Sequence, residues 1–482
     1  MASKRKPKPT TAVEPAPVMN IITALDDPDL FGRFFPGDSW SGWHTVLKAA
    51  FALPMDDSET AFFQSVAGNR LAPEQVVREL WLIAGRRAGK DSIASAVAAF
   101  AAATFNQQNK LRPGERAVVM CLAVDRDQAR VILNYIRSYF TDIPLLAGML
   151  TRETAVGFEL NNGIDIAILT NNFRSVRGRA VLLAVFDELA YWRDESSSAP
   201  DEELYKAIVP ALASIPGSMI IGISSPYRKS GLLYKKYKKH FGQNDDVLVI
   251  QAPTRTLNPL ISQDLIDREL ADDPAGADAE WMANFRNDIG GWLDISLIDA
   301  AVDYGITVRP PVSSFHKYTA AADPSGGSGK DSFTAAISHN EKGMAVLDCL
   351  IEIKPPFNPI EAVDQVAAML RAYELKEITG DAYAASWVVS AFASCGITYR
   401  HSERNRSEIY RDAMPLFTSG RARILDIQKL ISQFGSLERK TSSMGRDKID
   451  HGPNGHDDLC NSAALSMVLA TTDSKRSVLF FA

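Results

Sequence analysis

Lys90 ends the run W-L-I-A-G-R-R-A-G-K, after which Asp91 and Ser92 open an Ala-rich apolar segment. A lysine set after two glycines and before a helix suits anion binding: the first N–H groups of a helix have no partner within it, and an ammonium adds a point charge. Gly85, Arg86, Arg87, Ala88, Gly89, Lys90, Asp91 and Ser92 are therefore the candidate phosphate-binding residues. Against the pattern G-x-x-x-x-G-K-[ST], Ala84 replaces the first glycine and Asp91 the hydroxyl residue.

A second chemical element follows about 100 residues on. The apolar run Leu183-Ala184-Val185-Phe186 ends in Asp187-Glu188, two carboxylates where a strand of an open α/β sheet would present ligands. Phosphoryl chemistry uses both, one to hold Mg²⁺ and one to orient or deprotonate the attacking water. Asp91 faces opposed effects: a carboxylate ligates Mg²⁺ well but is repelled by phosphates. It is expected to reach the ion through a water or to point away. Arg174, Arg177 and Arg179 offer guanidinium groups to a phosphate or to a neighbouring subunit's nucleotide. Ser224 and Ser225, at the end of a further strand, are placed to sense a terminal phosphate.

The C-terminal third carries a different set. Asp323 ends the strand-like Tyr318 to Ala322, Asp381 ends Glu377 to Gly380, and Asp457 and Asp458 open the helical Cys460 to Thr471. Acids on two strands and one helix start, in an RNase H-like order, can converge on divalent ions about 4 Å apart that activate water against a phosphodiester. The string Gly326-Gly327-Ser328-Gly329-Lys330 joins two strands instead of opening a helix and is not a second phosphate loop.

Continuous apolar strands at 116–124, 164–170, 180–186 and 218–224, alternating with helices, predict a mostly parallel sheet buried on both faces. An antiparallel meander over 333–338 and 344–353 starts a second α/β pattern. The expected divisions are a flexible tail (1–18), a helical lead-in (19–60), an ATPase domain of phosphate-loop NTPase type (61–290), a linker (291–312) and an RNase H-like α/β nuclease domain (313–482). With 482 residues and 46% hydrophobic content the chain can bury at least two cores. Four cysteines without a C-x-x-C pair suit a reducing compartment, and the sequence lacks an apolar run of membrane length. A net charge of −6 gives no global pull toward nucleic acid. Any such contact falls to local patches, either Lys235-Lys236 with Lys238-Lys239, or Arg421, Arg423, Arg439, Lys440, Arg446 and Lys448.

The order G-R-R-A-G-K, R-S-V-R-G-R, V-F-D-E, I-S-S-P, D-P, G-D and H-D-D resembles the large terminase subunit of tailed bacteriophages, over about residues 30 to 475. The resemblance implies a viral DNA-packaging motor. Lys90 and the loop amides would grip ATP, Asp187 would help hold Mg²⁺, Glu188 would be the catalytic carboxylate, and Ser224-Ser225 the coupling motif. Arg86 or Arg87 would stand near the γ-phosphate. In the nuclease, Asp323, Asp381 and Asp457 or Asp458 would bind Mg²⁺ or Mn²⁺ and cut concatemeric DNA. It further implies double-stranded DNA, a small terminase subunit and the portal protein as partners, a homo-oligomeric ring on the procapsid portal, and host cytoplasm as the location. A helicase-like translocase whose C-terminal domain binds but does not cut DNA is the alternative. The presence of Lys90 and every acid argues against a mere scaffold.

Overall fold

The computed structural model describes residues 19–123, 126–170, 178–192, 200–312, 317–329, 331–380, 386–441, 447–452 and 455–478. The first sheet has eight strands: β1 (Glu79–Ala84), β2 (Ala117–Ala123), β3 (Leu150–Thr154), β4 (Gly157–Leu160), β5 (Ile164–Thr170), β6 (Ala180–Asp187), β7 (Met219–Ser224) and β8 (Val247–Ala252). Their order is β3-β4-β5-β2-β6-β7-β1-β8. Every pairing from β5 to β8 is parallel, while β3 and β4 at one edge are joined to each other and to β5 by antiparallel pairings. Alternation shows why the strands read as unbroken apolar runs: Leu80, Leu82 and Ala84 enter one core, Trp81 and Ile83 the opposite one. The predicted phosphate-loop architecture is thus present, with β7 inserted between the loop strand and the Asp187-Glu188 strand.

Helix Ile21–Asp26 and helix Ser41–Ala50 of the lead-in add Ile21, Leu25, Trp43, Val46 and Leu47 to the first core. The supposed basic patch at 235–239 is partly internal. Lys236 is buried, pairs with Glu79 at 2.6 Å and lies over the Trp81 and Tyr205 rings, while Lys235 pairs with Glu202. Helix Gly231–His240 turns Lys236 onto the sheet, an orientation that counting charges along the sequence does not reveal.

Strands β9 (Ile289–Gly291) and β10 (Val302–Asp303) precede the second sheet, which β10 forms with β11 (Tyr318–Asp323), β12 (Phe333–Glu341), β13 (Met344–Ile353), β14 (Glu377–Gly380), β15 (Thr398–His401) and β16 (Ala422–Leu425). Its order is β10-β16-β13-β12-β11-β14-β15. The run β13-β12-β11-β14-β15, with β12 antiparallel to both neighbours and β11, β14 and β15 parallel, is the RNase H-like order. Faces again alternate, Ala321 and Leu347 toward one core and Ala320, Ala322 and Phe333 toward the other. Within the stretch read as a linker, Trp292, Ile298, Ala301 and Val302 pack into the second core.

A small third sheet, β18-β17-β9, contains β17 (Leu437–Thr441) and β18 (Asp447–His451). It ties the chain's two halves together. Glu438 of β17 is fully buried, accepts a hydrogen bond from the Tyr227 hydroxyl at 2.7 Å and lies 3.6 Å from Arg228, just beyond β7. The second basic stretch is divided between β16 and this hairpin. Arg423 contacts Asp303, Arg439 pairs with Asp447 and Lys448 with Asp450, so opposite charges already occupy these three; Arg446 lies outside the described residues.

Candidate functional site

The turn after β1 is built from outside in. Thr254 Oγ1 donates to the Arg86 carbonyl at 2.8 Å, Asn258 Nδ2 to that of Arg87 at 2.8 Å, and Trp43 Nε1 to that of Ala88 at 2.7 Å. Three successive carbonyls are therefore held outward. Gly89, at φ +94°, and Arg87, at φ +63°, both lie in the left-handed region; in Arg87 that conformation is a local strain of the kind that gathers at ligand sites. Gly85 admits no side chain, because a Cβ would sit 2.2 Å from Thr254 Oγ1. Helix Lys90–Thr104 follows, its first N–H groups free of intrahelical acceptors. Arg86 is exposed and pairs with Glu280 at 2.9 Å.

Trp43→Phe is expected to destabilise the first half of the chain by about 1–2 kcal/mol, because the buried Ala88 carbonyl loses its donor. In a thermal melt this corresponds to a loss of roughly 2–8 °C for a domain of this size. A melt identical to wild type would mean the indole merely packs there.

At the carboxyl ends of β6 and β7 the predicted residues meet. Lys90 Nζ lies 3.0 Å from Glu188 Oε1, and Ser224 Oγ donates to Glu188 Oε2 at 3.2 Å. Glu188 adopts a left-handed φ of +47°, which turns its side chain from the strand toward the lysine. Ser224 Oγ lies 2.7 Å from the Ser225 carbonyl. Burial disfavours the Lys90 ammonium, yet Glu188, Asp91 and Asp187 outweigh it and hold its pKa above the ordinary value. Burial, then the charges of Asp91 and Glu188, push Asp187 up to about 8. Asp91, also raised chiefly by burial, lies within the field of Lys90 and Glu188. Its carboxylate is buried and close enough for its charge to raise Asp187. Asp187 Oδ1 and Asp91 Oδ1 are both buried and find no hydrogen-bond partner among the described residues. The unsatisfied oxygen of Asp187, a hard donor at a strand end, fits a divalent cation of the Mg²⁺ type, which Asp91 would reach through a water. Arg174 and Arg177 lie outside the described residues, and Arg179 is exposed.

The second cluster forms where β11 ends beside the start of helix Asp458–Val478. Asp323 Oδ2 accepts from Asn461 Nδ2 at 2.9 Å. Burial raises Asp323 to about 7; Asn461 and Arg406 pull it down, while Asp457 and Asp458 push it up. Asp457, buried, accepts from the Tyr410 hydroxyl at 2.8 Å and from Arg406 at 3.2 Å. Asp458 Oδ2 accepts from the Ser332 N–H at 2.9 Å. Asp458, Asp331 and His456 bring ligand atoms within 4.8 Å of one another. Asp323, Asp457 and Asp458 are thus brought together; β14 ends at Gly380, and Asp381 lies outside the described residues. Asn461 Oδ1 is buried without a partner among the described residues, and the acids offer hard oxygens beside the single ring nitrogen of His456, so this cluster also fits Mg²⁺ or Mn²⁺.

Asn461, Arg406, Tyr410 and Asp331 escaped sequence reasoning. Only Asn461 left a signal: three residues after Asp458 on one helix, it shares that acid's face. Arg406 and Tyr410 come from a helix whose approach nothing local encodes.

Neither a family model nor a curated protein matches the chain. Among solved structures it is similar to the HK97 bacteriophage large terminase, at 14% identity and TM-score 0.37 over 87% of this chain and 95% of that one. It is similar to the large terminase of a thermophilic bacteriophage in complex with ADP, at 13% identity and TM-score 0.38 over 81% and 93%. The large terminase nuclease of thermophilic phage G20c with bound magnesium covers 36% of this chain and 95% of its own, at 16% identity and TM-score 0.32. At such scores the chemistry has to be argued from the side chains. Among the described residues no helix is long and apolar enough to cross a membrane.

Proposed function

We propose that the chain is a phosphate-loop nucleotide hydrolase joined to a metal-dependent endonuclease. More particularly, we propose the large terminase subunit of a tailed bacteriophage, which moves double-stranded DNA at the expense of ATP and cuts concatemers. The observation that carries this reading is the meeting of Lys90, Glu188 and Ser224 at the carboxyl edge of one sheet, in a chain whose second sheet gathers Asp323, Asp457 and Asp458.

In the first site the outward-held loop carbonyls direct the turn's amides and Lys90 toward a triphosphate. Asp187, with Asp91 beside it, would hold Mg²⁺, which supplies neutralisation of charge on the phosphates. Glu188, held between Lys90 and Ser224, would orient the attacking water and take its proton. Lys90 then has a second anion to bind, so nucleotide entry loosens its grip on Glu188. Ser224 touches both Glu188 and the backbone after β7, which gives a mechanical exit from the site. In the second site Asp323, Asp457 or Asp458, and Asp381 would hold two ions that supply an activated water and stabilise the leaving oxygen. Asn461 and Tyr410 fix the carboxylates for this work.

Purified protein is expected to release phosphate from ATP and to nick plasmid in Mg²⁺ or Mn²⁺. ATP hydrolysis with DNA binding but no nicking would select the helicase-like translocase instead. By the same motif resemblance the proposal extends to a small terminase subunit, the portal protein and a homo-oligomeric ring as partners, with the work done in host cytoplasm.

Asp91→Ser is expected to raise nucleotide affinity several-fold, because it removes a buried carboxylate that adds to the negative field of Asp187 and Glu188 where phosphates must sit. A tenfold loss of turnover, about 1.4 kcal/mol, would instead make Asp91 a direct ligand of the ion.

A further inference from the structure

Arg406 is the first residue of helix Arg406–Thr418, whose start is fixed by a reciprocal Asn405–Glu408 cap. Its Nη1 lies 3.2 Å from Asp457 Oδ1 and 3.7 Å from Asp450 Oδ1. One turn on, the Tyr410 hydroxyl takes the other oxygen of Asp457, so one helix face grips both. The two grips differ in access. Tyr410 is fully buried, whereas the Arg406 side chain is 40% exposed, within reach of a large polyanion. Burial works against the Arg406 charge, but Asp457 and Asp323 outweigh it and hold the guanidinium firmly protonated.

A fixed cation among metal-binding acids has a cost, because it repels the divalent ions the acids would collect. A neutral donor could hold Asp457 without that cost, as Tyr410 does. While no ion is bound the charge favours the ionised form of Asp323; once divalent ions neutralise the acids, it is left available to something negative that arrives with the metal. We propose that Arg406 is a substrate-binding residue, gripping a phosphate of the DNA strand laid across Asp323 and Asp457. This rests on the nuclease reading. Both carboxylate contacts run through Nη1, and a guanidinium offers five donors in a planar fork matched to two phosphate oxygens.

The test uses the full-length chain and two readouts that need no cleavage. Mn²⁺ alone, titrated calorimetrically, is expected to bind Arg406→Ala about 3- to 10-fold more tightly than wild type, since a nearby like charge is gone. A double-stranded oligonucleotide in CaCl₂ is expected to bind Arg406→Ala with a salt slope lower by about one unit. Arg406→Lys should keep the wild-type values of both and cut DNA more slowly, having lost the fork. Should Arg406→Ala lose its cooperative melt, Arg406→Gln carries the same two readouts. Mn²⁺ binding that is unchanged or weaker, or an unchanged salt slope, overturns the proposal and leaves Arg406 as a support for Asp457. A wild-type protein that never cuts DNA defeats the nuclease reading separately, while the two binding readouts still decide the role of Arg406.

Discussion

Replacing Asp323 with asparagine is expected to slow DNA cleavage by roughly 10³-fold or more while ATP hydrolysis continues at its wild-type rate. The substitution keeps the shape of the side chain and an acceptor for Asn461, and removes only the charge on which a pair of divalent ions would depend. Ions held through the remaining acids would lose several kcal/mol of charge stabilisation in the transition state, which is the basis of that factor. The nucleotide cluster belongs to a separate sheet, so its turnover serves as an internal control for folding. Cleavage by Asp323→Asn within tenfold of wild type would remove Asp323 from the metal site. Asp381→Asn is expected to behave alike, and Mn²⁺ density in soaked crystals would show whether Asp457 or Asp458 shares the ion.

The second large effect belongs to Glu188. Glu188→Gln is expected to reduce ATP hydrolysis by roughly 10²- to 10⁴-fold, the contribution of a positioned general base, while a fluorescent nucleotide still binds. Lys90 keeps the field of Asp91 in that variant, and loss of the Glu188 charge removes one of the causes that raise Asp187, so the ammonium is not stranded in its buried position. Lys90→Ala, by contrast, is expected to lose binding and turnover together, because the triphosphate loses the point charge at the start of the loop helix and Glu188 its 3.0 Å partner. Phosphate release by Glu188→Gln within threefold of wild type would transfer the role of base to another group.

What the sequence determined by itself is local. Apolar runs such as Leu80 to Ala84 and Leu183 to Phe186, too short for a buried helix and ended by turn or acidic residues, read as strands buried on both faces. Glycines at 85 and 89 and an alanine-rich sequence after Lys90 required a tight turn into a closely packed helix. The acids at strand ends followed from the same reading, and so did the RNase H-like order. Each of these signals lies within a few residues of the chemistry it positions.

Only the tertiary structure decided which distant groups complete the sites. Thr254, Asn258 and Trp43 reach the loop carbonyls from more than 40 residues away in the chain, and Arg406 and Tyr410 reach Asp457 from a helix with an ordinary amphipathic pattern. Whether Lys236 was a surface charge or a buried partner of Glu79, and whether Arg439 was free or paired with Asp447, also depended on packing. Asp91 shows the limit most clearly. Its chemistry was legible, but its direction was set by how a helix turn meets two strand ends. Long-range contacts of this kind are fixed by the sum of many weak packing terms, which no short stretch of sequence records.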